Sequence, residues 1–401
     1  MPLEVVEPRI RGFISLTAHP EGCAERVRRE VETVRAAGPM PPLGNALVIG
    51  SSTGYGLASL LCSLFGAGAA TLGVCLERAP RGDRGGSAGW YNLAEAHRLA
   101  AAGGRHLETV NGDAFSVDVK RRVMEALAER FGPLDLVVYS LAAPRRDDEA
   151  SGASWRTTLK PVGAPFRGKS IDLRSGEVRE TSIEAASAEE IEATVRVMGG
   201  DDWAAWMEQL REAGLLAPGA RTLAYSYVGG ELTQAIYRHG TIGRAKEHLE
   251  ATAREISSRL ARDGGGAWVS LNKAVVTQAS AAIPAFALYA AILFRVMKER
   301  GTHEGATEQI VRLFGERLAA ASAGDVDAEG RIRLDDLEME PAVQARVAGI
   351  WERIATENLE QLSDYRGYRR DFEQLFGFGV EGVDYAEPTE LDRPLAAAPG
   401  S

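Results

Sequence analysis

Cysteine and histidine are scarce in this chain, and their scarcity limits the chemistry open to it. The 401 residues include 3 cysteines and 6 histidines, with no C-x-x-C and no H-E-x-x-H spacing. An odd number of scattered cysteines argues against a disulfide framework and favours a reducing compartment, so we expect a cytoplasmic protein. Without ligand spacing, we predict that no metal is bound.

A basic surplus and long apolar runs are also missing. The formal net charge is -10 and no dense basic block offsets it, which disfavours nucleic acid as a partner. The first residues lack a basic region followed by an apolar stretch, so no secretion signal is predicted. Residues 274–297 are apolar enough to suggest a membrane span, but they are rich in alanine and contain Thr277, Gln278 and Ser280. We therefore predict a buried helix and no stable membrane insertion.

What the chain does have is a regular alternation of strand and helix patterns. Apolar runs that predict strands lie at residues 46–49, 70–76, 106–110, 134–140 and 221–228. Helical patterns at 88–102 and 119–130 separate them, which is typical of an α/β fold with a Rossmann-type doubly wound parallel sheet. Functional residues are then expected at the carboxyl ends of the strands.

Two additions to this sheet are predicted. Residues 151–180, with β-like pieces at 155–159 and 171–173, indicate a hairpin inserted between the fourth and fifth strands. Extra C-terminal helices are predicted near 307–321 and 341–362. Since no segment resembles a long linker, we expect residues 1–401 to form a single elaborated α/β domain.

A glycine-rich turn follows the first apolar run and predicts where a dinucleotide binds. Its sequence, residues 50–56, is G-S-S-T-G-Y-G. Glycine permits a left-handed turn, a close approach of the backbone to phosphate, and close packing of the next helix on its strand. The N-terminus of that helix presents N–H groups and a positive dipole to the anion. A tight turn with no ligand is the alternative.

The second run ends at Glu77, close to where a dinucleotide fold places an acid on the adenosine ribose. An exposed glutamate at a strand end is the alternative.

After the fifth strand, Tyr237 and Lys246 are spaced as Tyr-x8-Lys. A tyrosine hydroxyl can donate to a substrate oxygen while a lysine binds the nicotinamide ribose and lowers the tyrosine pKa. On one straight helix this spacing would point the two apart; Gly240 supplies a break and Thr241 a predicted N-cap. A packing tyrosine and a solvated lysine are the alternative.

Taken together, these motifs resemble the FabV-type enoyl-[acyl-carrier-protein] reductases and the trans-2-enoyl-CoA reductases, a divergent branch of the short-chain dehydrogenase/reductases. The resemblance covers nearly the whole chain. It is carried by Arg11-Gly12-Phe13-Ile14, Thr17-Ala18-His19-Pro20, the glycine-rich turn, Ser140-Leu141-Ala142-Ala143-Pro144-Arg145, Tyr-x8-Lys, residues 272–280, Phe376-Gly377-Phe378-Gly379 and Gly382-Val383-Asp384-Tyr385. It implies NADH-dependent reduction of the 2,3 double bond of an enoyl thioester, usually by a monomer.

The resemblance also implies roles for individual residues. Tyr237 and Lys246 match the active pair, and Tyr227 matches a second tyrosine that contacts substrate. The residues that it assigns to the cofactor are Gly50, Ser51, Thr53, Gly54, Tyr55 and Gly56 at the pyrophosphate, Glu77 with Arg78 at the ribose, Asp113 with Ala114 at the adenine, Leu141 and Ala142 beside the nicotinamide ribose, and Val276, Thr277 and Gln278 around the nicotinamide. Ala279 flanks the substrate. The guanidinium of Arg78 could tolerate the 2′-phosphate of NADPH.

The predicted function is therefore reduction of enoyl thioesters of acyl carrier protein or CoA in fatty acid biosynthesis, with Tyr237 stabilising the enolate. A short-chain-type NAD(P)H carbonyl reductase, with Ser226 as the catalytic serine, is one alternative. A non-catalytic NADH-binding protein is another. Six basic residues could dock the carrier, although an ordinary solvated loop explains them equally well: Arg145, Arg146, Arg156, Lys160, Arg167 and Lys169.

Overall fold

A computed structural model describes residues 3–12, 14–149, 151–281, 283 and 285–395. Its strands are β1 Leu3–Glu4, β2 Ile10–Arg11, β3 Ile14–Ser15, β4 Asn45–Ile49, β5 Ala70–Cys75, β6 Leu107–Asn111, β7 Leu134–Tyr139, β8 Arg145–Asp147, β9 Ser154–Arg156, β10 Phe166–Ile171, β11 Val178–Ile183, β12 Leu216–Ser226, β13 Gly266–Leu271, β14 Ile332–Arg333 and β15 Thr389–Glu390.

The helices alternate with these strands and then dominate the C-terminal third. They are α1 Pro20–Ala36, α2 Gly54–Leu61, α3 Ala88–Ala102, α4 Val117–Ala126, α5 Ala188–Met198, α6 Asp201–Glu212, α7 Glu231–Gln234, α8 Thr241–Leu260, α9 Gln278–Ala281, α10 Phe286–Arg300, α11 Ala306–Arg312, α12 Leu318–Ser322, α13 Pro341–Arg353, α14 Leu359–Leu362 and α15 Tyr365–Gln374. π-helical turns at Cys62–Gly66, Leu127–Phe131 and Leu313–Arg317 follow α2, α4 and α11.

The central sheet has seven strands, all parallel, in the order β14-β13-β12-β7-β4-β5-β6. The strand order reverses at β4, which pairs with β5 on one side and β7 on the other. In a doubly wound sheet this reversal opens a crevice at the carboxyl ends of the strands, where ligands bind. The predicted fold class is confirmed.

Helices cover both faces of the sheet, and side chains along each buried strand point alternately to one face and the other. Ala46 and Val48 of β4 face the cluster formed with α1, α2 and α11. Leu47 and Ile49 face the cluster formed with α4, α6 and α8. The sequence pattern of β4 is therefore a continuous apolar run rather than an alternation.

Helix α10 belongs to a third cluster beyond the edge of the sheet. Its residues from Phe286 to Phe294 are all buried, because α13 and α15 pack around it together with Tyr227 and Ala274. A helix that is apolar all round is typical of such a site. Among the described helices, none is long and apolar enough to cross a membrane.

The inserted segment differs from its prediction. Two antiparallel hairpins occupy it, β8 with β9 and β10 with β11, whereas one hairpin over 151–180 was expected. Trp155 belongs to β9, and Leu173 lies in the turn between β10 and β11. That turn forms where the Asp172 carboxylate accepts the N–H groups of Arg174 and Ser175, a local signal that ends β10 at Ile171.

The first and the last strand of the described residues pair with each other. Strand β1 pairs with β15, and β14 extends the central sheet beside β13. Segments far apart in sequence are thus paired with each other, and a single domain over residues 1–401 stays a prediction.

Candidate active site

The glycine-rich turn has the geometry that its sequence predicts. Gly50 has φ +85°, and a Cβ there would lie 2.2 Å from the Ser140 carbonyl oxygen. A Cβ on Gly56 would lie 1.8 Å from the Gly50 carbonyl oxygen. Helix α2 therefore packs directly on the turn, and its N-terminus with Thr53 as N-cap faces the crevice. The Ser51 hydroxyl donates to the Val74 carbonyl oxygen on β5.

Tyr55 and the segment that follows β13 pack together beside the glycine-rich turn. The Tyr55 hydroxyl donates to the Lys273 carbonyl oxygen at 2.6 Å. The Thr277 methyl group lies 3.5 Å from the position that a Cβ would take on Gly54. The structure thus brings the predicted pyrophosphate turn and the predicted nicotinamide segment together, although they are far apart in sequence.

Glu77 is held by groups that sequence reasoning missed. Its carboxylate accepts the Ser52 hydroxyl at 2.6 Å and also the Ser87 hydroxyl. Asn111 on the neighbouring strand accepts the Glu77 N–H and donates to its carbonyl oxygen, both at 2.8 Å. Arg78 is exposed, and its N–H donates to the Ser87 hydroxyl. The carboxylate is therefore fixed at the end of β5 before any ligand arrives.

A cavity of about 220 Å³ lies over this end of the site. The predicted residues that line it are Thr53, Gly54, Glu77, Arg78, Thr277 and Gln278. Tyr237 and Lys246 are not part of its lining. The cavity therefore brings together residues predicted for the pyrophosphate, the ribose and the nicotinamide, without the predicted active pair.

Hydrogen bonds and a buried ion pair fix the loop of Asp113 and Ala114, which is predicted to border the adenine. The Asp113 carboxylate accepts the Phe115 N–H at 3.0 Å. The Lys120 ammonium donates to the carbonyl oxygens of Ala114 and Phe115 and pairs with the buried Asp202 carboxylate at 2.7 Å. The loop conformation is thus set by a buried ion pair that lies outside the loop.

The end of β7 lies beside the glycine-rich turn, and the contact of Leu141 and Ala142 with the nicotinamide ribose stays a prediction. The Leu141 side chain reaches within 3.2 Å of the Cβ position of Gly50. Ala142 follows it and is exposed. Val276 packs against the cluster around α10, and Ala279 lies within helix α9.

Tyr237 and Lys246 lie on either side of the predicted break. Tyr237 is in the turn between α7 and α8, and Lys246 is in the second turn of α8. The N-cap prediction was wrong by one residue: Gly240 is the N-cap, since Thr241 is helical and its hydroxyl donates to the Thr158 carbonyl oxygen. The Lys246 ammonium donates to the Tyr225 carbonyl oxygen at 2.9 Å. Among the described residues, the Tyr237 hydroxyl makes no hydrogen bond.

Burial shifts both groups. It lowers the pKa of Lys246 to about 8, against the opposing field of the Glu250 carboxylate. It raises the pKa of the Tyr237 hydroxyl, so the lowering expected from the lysine is not the net effect. At neutral pH Tyr237 is therefore a protonated donor.

Tyr227 and Tyr237 are packed against each other, with ring centroids 4.9 Å apart and ring planes at 85°. The Tyr227 hydroxyl donates to the Glu338 carboxylate at 2.8 Å. Glu338 is fully buried and lies between β14 and α13. No local pattern singles it out, because it is more than a hundred residues from the strand end that it serves.

No group of three or more potential metal ligands occurs among the described residues.

Residues 84–319 match the family model described as the trans-2-enoyl-CoA reductase catalytic region, and residues 5–82 match the NAD(P)H binding domain of trans-2-enoyl-CoA reductase. The chain belongs to the trans-2-enoyl-CoA reductase family. The resemblance drawn from the motifs is confirmed.

Relatives in this family carry two names. The chain is 50% identical over 385 residues to the enoyl-[acyl-carrier-protein] reductase [NADH] of Flavobacterium johnsoniae, covering 96% of this chain and 97% of the relative. It is 48% identical to the trans-2-enoyl-CoA reductase [NADH] of Clostridium perfringens, covering 96% and 99%. The crystal structure of Treponema denticola trans-2-enoyl-CoA reductase in complex with NAD superposes with a TM-score of 0.92 at 46% identity, covering 98% and 100%.

A third family model, matched by residues 326–389, is described as an enoyl reductase FAD binding domain. The described residues of this segment do not fit a flavin site. Its strands are the two-residue β14 and β15, with no glycine turn leading from strand to helix. Val343, Val347 and Ile350 of α13 are buried against α10, and a Cβ on Gly377 would lie 2.5 Å from the His19 carbonyl oxygen. We derive no step through a flavin.

Proposed function

We propose that this chain reduces the 2,3 double bond of trans-2-enoyl thioesters, carried on acyl carrier protein or CoA, with NADH. The observation that carries the proposal is the packed pair of Tyr227, buried, and Tyr237, half-buried, just beyond the carboxyl end of β12. The Lys246 ammonium donates to the carbonyl oxygen of Tyr225 on the same strand. Its relatives of about 50% identity bear the names of both carriers and of NADH.

The residues present fit a dinucleotide. The N-terminus of α2 would hold the pyrophosphate, since its first N–H groups and its dipole favour an anion. Glu77 would accept the hydroxyls of the adenosine ribose, and Asp113 with Ala114 would border the adenine. Lys246 would bind the nicotinamide ribose from α8. We also propose that Thr277 and Gln278 contact the cofactor and that Ala279 borders the substrate.

When bound, NADH supplies a hydride to the β-carbon of the enoyl group. The Tyr237 hydroxyl would donate to the thioester oxygen, on which negative charge develops as the double-bond electrons move toward the carbonyl group. Tyr237 is half-buried against Tyr227, and a protonated hydroxyl shielded from water stabilises an enolate more strongly than one in bulk water. A proton then adds to the α-carbon and gives the saturated thioester. The start of α10, where Phe286 packs against Tyr227, would border the acyl chain.

The six basic residues give little support to one carrier over the other. Lys160 pairs with Glu190, and the Lys169 ammonium donates to three carbonyl oxygens at the end of α13. The Arg146 guanidinium donates to the Arg196 carbonyl oxygen. These three side chains have partners within the protein, so they do not favour acyl carrier protein over CoA.

The proposal is tested by NADH oxidation with crotonyl-CoA, the same thioester on acyl carrier protein, and a simple ketone. We expect turnover with the thioesters and none with the ketone. Turnover of the ketone alone would favour the carbonyl reductase, for which the buried Ser226 hydroxyl, without a partner among the described residues, is the candidate group. NADH binding without oxidation would indicate a non-catalytic protein. A monomer in the cytoplasm stays a prediction.

A further inference from the structure

The carboxylate of Glu338 joins three elements around the two site tyrosines. One oxygen accepts the hydroxyls of Tyr227, at the end of β12, and Tyr289, on α10, both at 2.8 Å. The other accepts the Ala274 N–H, just after β13, at 2.7 Å. Each donor comes from a different part of the chain, and the carboxylate is fully buried.

The loop after Tyr227 holds this arrangement from the other side. Gly229 has φ +73°, and a Cβ there would lie 2.8 Å from the Tyr227 hydroxyl. A Cβ on Gly230 would lie 2.0 Å from the Gln344 side-chain oxygen and 3.0 Å from the Tyr289 hydroxyl. Both phenol oxygens therefore lie between this loop and Glu338.

A phenol has one proton to donate. Since the proton of Tyr227 is directed to Glu338, only the lone pairs of its oxygen remain for any other partner. Tyr237 differs, because its hydroxyl makes no hydrogen bond within the described part of the chain. The adjacent tyrosines thus offer opposite hydrogen-bonding character: Tyr227 accepts and Tyr237 donates.

We propose that Glu338 is a positioning residue that keeps the Tyr227 hydroxyl a hydrogen-bond acceptor. Tyr237 is then the tyrosine that donates a hydrogen bond to the thioester carbonyl oxygen. This inference rests on the proposed function. With the rings 4.9 Å apart, a second donor at Tyr227 would compete for the same carbonyl oxygen and would hold the substrate in a non-productive orientation. Glu338 itself does not touch the substrate.

Glu338→Gln tests this division of roles with almost no change in shape. The Ala274 N–H needs an acceptor, so the amide oxygen must face Ala274 and the amide NH₂ must face the tyrosines. The hydrogen bond at Tyr227 is then reversed, and its proton is free to reach the carbonyl oxygen. Non-productive binding lowers kcat and KM by the same factor and leaves kcat/KM unchanged. We expect both to fall about 3- to 10-fold, the range of one neutral hydrogen bond.

Tyr227→Phe removes the competing donor and decides the origin of the effect. In the Tyr227→Phe background, Glu338→Gln should produce no further fall in kcat or KM. As a matched control, Glu108→Gln changes a buried glutamate on β6 that pairs with Arg130. This variant should have kcat and KM values near those of the wild type.

A fall in kcat/KM at constant KM, or the same fall in the Tyr227→Phe background, would overturn the proposal. If Glu338→Gln does not fold, Tyr227→Phe alone decides: we expect its kcat within about 3-fold of the wild type, whereas a loss as large as that of Tyr237→Phe would make Tyr227 a donor. Failure of the proposed function is a separate result, because the wild type itself would then not oxidise NADH with an enoyl thioester.

Discussion

The preference for NADH over NADPH should depend on the charge of Glu77. Its carboxylate is fixed by Ser52 and Ser87, where it would meet the 2′-phosphate of NADPH. Two unit charges at roughly 5 Å interact by about 3 kcal/mol at an effective dielectric constant of about 20. Glu77 is only half-buried, so screening reduces this to about 1–2 kcal/mol.

Glu77→Gln keeps the size and the hydrogen-bonding oxygen and removes the charge. We expect the ratio of kcat/KM for NADH to that for NADPH to fall about 10-fold, with most of the change in NADPH. Steady-state assays with both cofactors measure this ratio. Arg78→Ser is the matched control: removing the neighbouring cation should weaken NADPH and leave NADH nearly unchanged. A ratio that Glu77→Gln does not move, or a wild type that prefers NADPH, would refute the reasoning.

Three further predictions concern the cofactor side of the site. Gly56→Ala should abolish NADH binding in fluorescence titration or prevent folding, because its Cβ would lie 1.8 Å from a backbone oxygen; normal affinity would contradict the helix packing. With a pKa of about 8, Lys246 is charged below that pH and neutral above it, so kcat/KM for NADH should fall as pH rises through 8. Lys246→Arg should flatten that profile, and an unchanged profile would assign the titration to another group. Lys120→Met should raise the Kd for NADH about 10-fold by releasing the adenine loop. An unchanged Kd would show that the loop keeps its conformation without Lys120.

The sequence allowed the sheet, the dinucleotide turn and the tyrosine–lysine pair to be predicted because each has a local signal. Buried parallel strands are short apolar runs. The turn needs glycine at Gly50 for its left-handed φ of +85° and at Gly56 because a Cβ there would meet the Gly50 carbonyl oxygen. The break between Tyr237 and Lys246 is also local, at Gly240.

The parts that could not be predicted depend on contacts between distant segments. Glu338 reaches Tyr227 only because β14 adds to the sheet edge and brings the start of α13 beneath α10. Ser87 reaches Glu77 because α3 begins over the end of β5. The inserted hairpins were misplaced because β-like composition at 155–159 and 171–173 carries no information on pairing partners. The turn between β10 and β11 does carry it, through the Asp172 carboxylate and the left-handed Gly176 with φ +76°.

The most direct test of the central claim is Tyr237→Phe, which keeps the ring and removes only the hydroxyl. We expect kcat with crotonyl-CoA to fall by roughly 10²-fold or more, the range of a positioned proton donor, while the Kd for NADH stays within about 2-fold. Turnover close to that of the wild type, with NADH binding intact, would show that Tyr237 does not stabilise the developing enolate.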